Sequence, residues 1–150
     1  MPTVLAVDDS QPVRDLLERV LTPAGYTVTC AKDGGEALAT VRTAHPDIIL
    51  IDIKLPTMDG YAVCRTLKSN PSTATIPVLM LTGMDETDDI RKALRYGADG
   101  YIMKPFRVED LRGKIQELLE LAKTDKLPDR FYLKKLQAGD AEPPDDDPLS

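Results

Sequence analysis

The 150-residue chain, 42% hydrophobic and 29% charged, is long enough for one domain with a full core and too short for two ordinary ones. Its longest apolar runs are too short to cross a bilayer, and no signal-peptide pattern is present, so a cytoplasmic location and no membrane partner are expected. The formal net charge of -6 arises mainly in residues 139–150, so residues 1–138 are nearly neutral and direct nucleic-acid binding is not expected.

Short apolar runs alternate with helical patterns along the chain. The run Val4–Val7 is continuously apolar and therefore predicts a strand that is buried on both faces. An apolar stripe at helical spacing from Val13 to Ala24 predicts the first helix, with Pro12 in its first turn and Gly25 just past its end.

The same alternation continues to the last helix. The sequence next predicts a strand over Tyr26–Ala31 and a helix over Ala37–Ala44 that stops before Pro46. A central strand over Ile48–Ile51, a third helix over about Gly60–Lys68 and a fourth strand over Pro77–Leu81 follow. The last predicted elements are a fourth helix over about Glu86–Tyr96, capped by Gly97, a fifth strand over Gly100–Met103 and a last helix over Val108–Ala122.

Strict alternation of strands and helices with short links predicts an α/β fold, with a parallel sheet covered by helices on both faces. Five such units match the flavodoxin-like, doubly wound strand order 2-1-3-4-5. Ligands of these sheets bind outside the carboxyl ends of the strands, close to the switch point between the first and third strands. The functional residues are therefore expected at the ends of the strands.

The pattern changes after Lys123, so residues 1–123 are predicted to form the domain. Residues 124–137 contain a possible extra short helix, Leu127–Leu136, for which packing on the domain, a dimer contact and docking on a partner remain open. Residues 138–150 are small, acidic and rich in proline, a composition that predicts a disordered tail.

Charged and polar side chains follow four of the predicted strands. Asp8 and Asp9 follow the first strand, and Asp52, Thr82 and Lys104 end the third, fourth and fifth. Loops are polar in general, but so many such residues at the one expected ligand edge indicate a site. Carboxylates packed together repel each other unless a cation intervenes, and Mg²⁺ prefers such oxygen ligands. Lys104 would keep Asp52 ionised, and a carboxylate can act as a nucleophile towards phosphorus.

These residues lie in four motifs that carry a family resemblance. The runs VDDS (7–10), IDIKLPTMDG (51–60), LTG (81–83) and KPF (104–106) resemble, in order and spacing, the receiver domains of two-component response regulators over about residues 3–122. The resemblance, to single-domain CheY-like proteins, implies a signalling switch that is phosphorylated by a histidine kinase or a histidine phosphotransfer protein. It implies a phosphoacceptor that catalyses only its own phosphotransfer and dephosphorylation, rather than an enzyme with a separate substrate.

The resemblance also implies roles for individual residues in phosphotransfer. Asp52 would be the phosphoacceptor, and Thr82 and Lys104 would bind phosphoryl oxygens. Thr82 and Tyr101 would form the conformational switch. The peptide bond between Lys104 and Pro105 would be cis, a conformation that is common only before proline.

The implied metal is Mg²⁺ or Mn²⁺. Asp9, Asp52 and the backbone carbonyl of Lys54 would bind it directly, and Asp8 would act mainly through water. Lys54 and Met84 occupy variable positions of the family and would tune the lifetime of the phosphoryl group.

The expected output is a change in the face formed by the fourth helix, the fifth strand and the last helix, which would control binding of a downstream protein. A homodimer is a further possibility. Two alternatives remain: a receiver fragment of a longer transcriptional or enzymatic regulator, and a scaffold that uses the fold without phosphorylation.

Other candidate motifs have structural interpretations. The run Gly34–Leu38 is expected to start the second helix, and His45 is expected to be a solvated residue at its end. Cys30 and Cys64 have no zinc-like spacing and are too few for a disulfide framework, so they are expected to be small buried or half-buried side chains.

Overall fold

The structure, a computed structural model, describes residues 2–83 and 95–123. Within these residues, five parallel strands form one sheet in the order β2-β1-β3-β4-β5, which confirms the predicted doubly wound topology. Strands β1 to β5 span Thr3–Val7, Thr27–Ala31, Ile48–Asp52, Val78–Thr82 and Gly100–Met103. Helices α1 to α3 and the final helix span Gln11–Leu21, Gly34–Ala44, Gly60–Lys68 and Val108–Lys123.

The sheet separates two hydrophobic layers. Leu5 and Val7 of β1 belong to the layer covered by α2 and α3, whereas Val4 and Ala6 belong to the layer covered by α1 and the final helix. Successive side chains of a strand point to opposite faces, and here both faces are covered. The four residues Ile48–Ile51 of β3 are therefore all fully buried, which explains why this run is continuously apolar.

The prediction for the C-terminal end of the first helix was wrong. Helix α1 ends at Leu21, with Thr22 as its C-cap, and does not reach Ala24. Pro23 ends it because proline has no N–H to continue the helical hydrogen bonds. A turn follows, in which Ala24 donates to the carbonyl of Leu21, and Gly25 adopts a φ of 103° that glycine tolerates.

Several predictions lie outside the described residues. They are most of the fourth helix, Met84, the possible helix in residues 124–137 and the tail of residues 138–150, so the proposed division of the chain at residue 123 stays a prediction. Gly97, the predicted cap of the fourth helix, has a φ of 106°. None of the described helices combines the length and the apolar composition that a membrane span requires.

A buried ion pair ties α3 to the turn before β5, at the amino ends of the strands. The Nζ atom of Lys68 lies 2.8 Å from Oδ2 of Asp99, and the two side chains are 12% and 3% exposed. Lys68 also donates to the carbonyls of Ala74 and Ile76, and Asp99 accepts from the N–H of Val78. Both charges are therefore hydrogen-bonded as well as paired, as a buried ion pair requires.

We expect the substitution Lys68→Met to lower the free energy of unfolding by about 3–5 kcal/mol, because Asp99 would keep a buried charge without its cation. The control is Lys114→Met, which removes an exposed pair with Glu117 and should cost less than about 0.5 kcal/mol. Urea denaturation measures both values. Equal losses in the two variants would contradict this role of the buried pair.

Candidate functional site

Three carboxylates meet at the carboxyl edge of the sheet. One ligand oxygen each from Asp8, Asp9 and Asp52 lies within 4.8 Å of the others. The parallel register pairs Val7 with Ile51, so the residues that follow these two positions reach the same edge. Asp8 is buried, Asp9 is exposed and the Asp52 side chain is 14% exposed, so the cluster opens to solvent on one side.

Lys104, which follows β5, reaches this cluster from across the sheet. Its Nζ atom lies 3.4 Å from Oδ1 of Asp52 and 3.5 Å from Oδ2 of Asp8. The backbone N–H of Lys104 donates to the carbonyl of Thr82 at 2.7 Å, which fixes the backbone from which the lysine side chain extends. The Lys104–Pro105 peptide bond is cis, in agreement with the sequence-based expectation.

The ionised form of the Asp52 carboxyl is destabilised at this edge, mainly because the group is partly buried. Burial raises its pKa above the ordinary value, the Lys104 ammonium opposes this rise, and the Asp8 carboxylate adds to it. The backbone N–H of Lys54 donates to Oδ1 of Asp52 at 3.4 Å and also lowers the pKa of this carboxyl. The net direction is upward, so a further cation would stabilise the ionised form.

The donor set fits a hard divalent cation. All three side chains offer carboxylate oxygens, which Mg²⁺ and Mn²⁺ accept as ligands together with several water molecules. Among the described residues, no side chain or backbone N–H donates to the Asp9 carboxylate, so its oxygens are available. Lys54 lies two residues past the end of β3, but the metal contact of its carbonyl stays a prediction.

The predicted switch residues lie on the same face of the sheet. Thr82 pairs with Met103 and Met80 pairs with Tyr101 across β4 and β5, and side chains two residues apart in a strand share a face. Thr82 is 1% exposed, and its hydroxyl donates to the carbonyl of Gly83 at 2.9 Å. Tyr101 is 37% exposed. In this structure the Thr82 hydroxyl is therefore hydrogen-bonded to the backbone, and the Tyr101 side chain faces outward.

Two residues at this edge were missed by the sequence analysis. Nη1 of Arg14 donates to the backbone carbonyl of Asp8 at 2.6 Å. Gly60, noted only as a helix start, packs so tightly that a Cβ atom would lie 2.5 Å from the carbonyl oxygen of Asp52. The signal for Gly60 was its place in the run that follows Asp52, whereas α1 offers no pattern that distinguishes Arg14 from a solvated arginine.

The other sequence motifs have the structural roles that were expected. Asp33 is the N-cap of α2, which begins at Gly34. His45 is exposed and ends this helix with a φ of 46°. Cys30 is half-buried and Cys64 is buried, and burial raises the pKa of the Cys64 thiol to about 12.

A five-stranded parallel α/β fold with an acidic cluster and a lysine at its carboxyl edge defines a class of signalling domain. The chain belongs to this class: residues 4–116 match the response regulator receiver domain family.

Curated relatives of the chain are longer than it is. The chain is 40% identical over 128 residues to the DNA-binding dual master transcriptional regulator RpaA of Synechocystis sp., a match that covers 85% of the chain and 52% of the relative. It is 42% identical over 122 residues to the response regulator MprA of Mycobacterium leprae, with coverage of 81% and 53%. The chain therefore spans about half the length of these relatives.

Solved structures show the same fold at similar identity. The chemotaxis response regulator CheY4 of Vibrio cholerae superposes with a TM-score of 0.74 at 36% identity, over 79% of the chain and 98% of that structure. The signal receiver domain of a signal transduction histidine kinase from Syntrophus aciditrophicus gives a TM-score of 0.76 at 36% identity, with coverage of 80% and 91%. The receiver fold thus occurs both in a chemotaxis regulator and as a part of a kinase.

We expect metal-free Asp52→Asn protein to have a higher Tm than wild type at pH 7. The raised pKa means that the Asp52 carboxylate is less favourable in the folded than in the unfolded chain, so the stability of wild type falls as the pH rises through the folded pKa. The two Tm values should converge as the pH falls towards 3.8, the ordinary value. Thermal unfolding followed by circular dichroism measures this.

The variant Glu18→Gln, which removes an exposed carboxylate of α1, is the control and should show no such pH-dependent difference from wild type. A lower Tm for metal-free Asp52→Asn at pH 7 would contradict the direction assigned to the Asp52 pKa. Added Mg²⁺ should raise the Tm of wild type more than that of Asp52→Asn, because binding to the folded state alone stabilises it.

Proposed function

We propose that the chain is a phosphorylation-dependent switch of a two-component system that acts in the cytoplasm. Asp52 accepts a phosphoryl group from a histidine kinase or a histidine phosphotransfer protein. The main support is the contact of Asp52 Oδ1 with the Lys104 ammonium at 3.4 Å, inside the carboxylate cluster. Membership of the receiver family supports it independently. The protein would act on no other substrate and would catalyse only the gain and loss of its own phosphoryl group.

In the proposed reaction, a carboxylate oxygen of Asp52 attacks the phosphorus atom of phosphohistidine. A P–O bond forms, the P–N bond to the imidazole breaks, and an acyl phosphate remains on Asp52. Lys104 already faces two carboxylates and would bind a phosphoryl oxygen as the charge moves onto the transferred group. Mg²⁺ bound by Asp9, Asp52 and the Lys54 carbonyl, with Asp8 acting through water, would supply further charge neutralisation.

Wild-type protein incubated with acetyl phosphate and Mg²⁺ should gain one phosphoryl group, whereas Asp52→Asn should gain none. Mass spectrometry of the intact protein measures this. The variant Lys104→Met should react at least tenfold more slowly, since loss of one transition-state contact of this kind typically costs about 10²–10³ in rate. Chelation of the metal should also suppress the reaction.

Glu18→Gln is the matched control, because it removes an exposed carboxylate from α1 and should react as wild type does. Absence of an acyl phosphate on wild type would contradict the proposal and favour the scaffold alternative.

Phosphorylation would act through Thr82 and Tyr101. We infer that the Thr82 hydroxyl leaves the carbonyl of Gly83 for a phosphoryl oxygen, and that Tyr101, on the same sheet face, moves inward from its 37% exposed position. Reversal of a 1:99 equilibrium requires about 5.5 kcal/mol. Each new hydrogen bond to a charged group contributes about 1.5–3 kcal/mol, so two such bonds would supply most of it. The face formed by the predicted fourth helix, β5 and the final helix would then change.

Beryllofluoride with Mg²⁺, a mimic of the phosphoryl group, should shift the Tyr101 resonance in ¹⁹F NMR of 3-fluorotyrosine-labelled protein. Tyr26, which precedes β2 at the opposite side of the sheet from β5, is an internal reference. Thr82→Ala should reduce the shift, and Thr82→Ser, which keeps the hydroxyl, should preserve most of it. A full shift in Thr82→Ala would contradict coupling through Thr82.

The output of the switch is proposed to be control of protein binding, with a homodimer as one form of it. A second candidate is the receiver part of a longer transcriptional or enzymatic regulator. The observation that favours it is that RpaA and MprA are about twice as long as the matched region. Capture of partners with beryllofluoride-treated wild type, compared with Asp52→Asn, tests the first candidate. The full open reading frame tests the second.

A further inference from the structure

We infer that Arg14 is a positioning residue of the metal site, an inference that rests on the proposed function. It concerns the loop of residues 8–10, which joins β1 to α1 and carries two of the three carboxylates of the cluster. Arg14 lies in the second turn of α1 and is half-buried. Its side chain contacts the backbone of this loop, so it would affect metal binding by orienting the loop.

The Asp8 residue is held from four directions. Its N–H donates to the carbonyl of Ala31 at 3.1 Å, and its own carbonyl accepts from Nη1 of Arg14 at 2.6 Å. Its carboxylate accepts from the N–H of Ser10 at 2.9 Å and pairs with Lys104 at 3.5 Å. Arg14 is the only described residue that holds the carbonyl side of this peptide group.

Asp9 depends on that contact. The peptide group between Asp8 and Asp9 is planar, so fixing the Asp8 carbonyl also fixes the N and Cα atoms of Asp9. Asp9 is exposed, and among residues 2–83 and 95–123 no donor orients its carboxylate. The Arg14 contact therefore fixes the backbone from which the Asp9 carboxylate reaches the cluster with Asp52.

The guanidinium of Arg14 is itself held in place. Its Nη2 atom donates to Oε1 of Gln11 at 2.6 Å, and Nε2 of Gln11 donates to Oδ1 of Asp15 at 2.8 Å. These side chains lie on consecutive turns of α1, where residues three or four apart are neighbours. A planar guanidinium bound at two nitrogens has a defined orientation, which a flexible lysine would not reproduce.

Positioning and simple electrostatics predict opposite effects of removing Arg14. A cation near three carboxylates disfavours a second cation, so its loss would strengthen Mg²⁺ binding if charge alone mattered. If Arg14 orients the Asp8–Asp9 peptide, its loss weakens Mg²⁺ binding despite the gain in negative charge. The sign of the change in affinity therefore separates the two.

Isothermal titration with Mg²⁺ alone tests the inference on the full chain. We expect Arg14→Met to bind Mg²⁺ about tenfold more weakly, the lower end of the range for residues that orient metal ligands. Arg14→Lys, which keeps the charge and one donor, should lie between Arg14→Met and wild type. Arg19→Met removes an arginine from the exposed side of the same helix and should bind as wild type does.

Unchanged or tighter Mg²⁺ binding by Arg14→Met would overturn the inference, even if its metal-free Tm were lower, because a purely structural role changes only the Tm. If Arg14→Met does not fold, Gln11→Ala, which removes only the support at Nη2, should show a smaller loss of affinity, and unchanged affinity would overturn the inference. If wild type is phosphorylated and binds Mg²⁺, and Arg14→Met has the same Mg²⁺ affinity as wild type, the inference is refuted and the proposed function is intact. Wild type that binds no Mg²⁺ would refute both.

Discussion

Repulsion among the carboxylates at one edge of the sheet is the constraint around which the functional half of the molecule is arranged. Parallel pairing of β1 and β3 brings Asp8 and Asp52 to the same edge. Lys104, delivered by β5, is shared between them and leaves the pKa of Asp52 raised. Because burial and the neighbouring Asp8 carboxylate both disfavour the ionised form of Asp52, a further cation at this edge would stabilise that form.

The fold was largely predictable because the signals that define it are local or topological. Continuous apolar runs marked strands buried on both faces, and strict alternation with helices left few topologies for a parallel sheet. The error at the end of α1 has a local cause as well: apolar spacing extended the predicted helix to Ala24, whereas Pro23 had already ended the hydrogen-bond ladder at Leu21. Periodicity indicates which face of a helix is buried and says little about its last residue.

The site was predictable in its composition and less so in its contacts. The residue types at the strand ends and the predicted topology were enough to predict that Asp8, Asp52 and Lys104 lie together, as they do. The bond from the Thr82 hydroxyl to Gly83 was not predictable, because a hydroxyl chooses among several nearby acceptors that depend on backbone geometry. The contact of Arg14 with a backbone carbonyl was missed for a similar reason, since every residue supplies the same acceptor and the sequence carries no trace of which one is used.

The two edges of the sheet use charge in opposite ways. At the amino edge, the Lys68–Asp99 pair has hydrogen-bond partners on both sides, so a change in either side chain costs stability and nothing is gained by movement. At the carboxyl edge, Lys104 is at 3.4–3.5 Å from two acids, longer than the 2.8 Å of the buried pair, and its side chain is one-third exposed. An ammonium that is shared, loosely held and partly hydrated can change partners at low cost. The charges at the amino edge therefore stabilise the sheet, whereas under the proposed function Lys104 would exchange its carboxylate partners for a phosphoryl oxygen at the carboxyl edge.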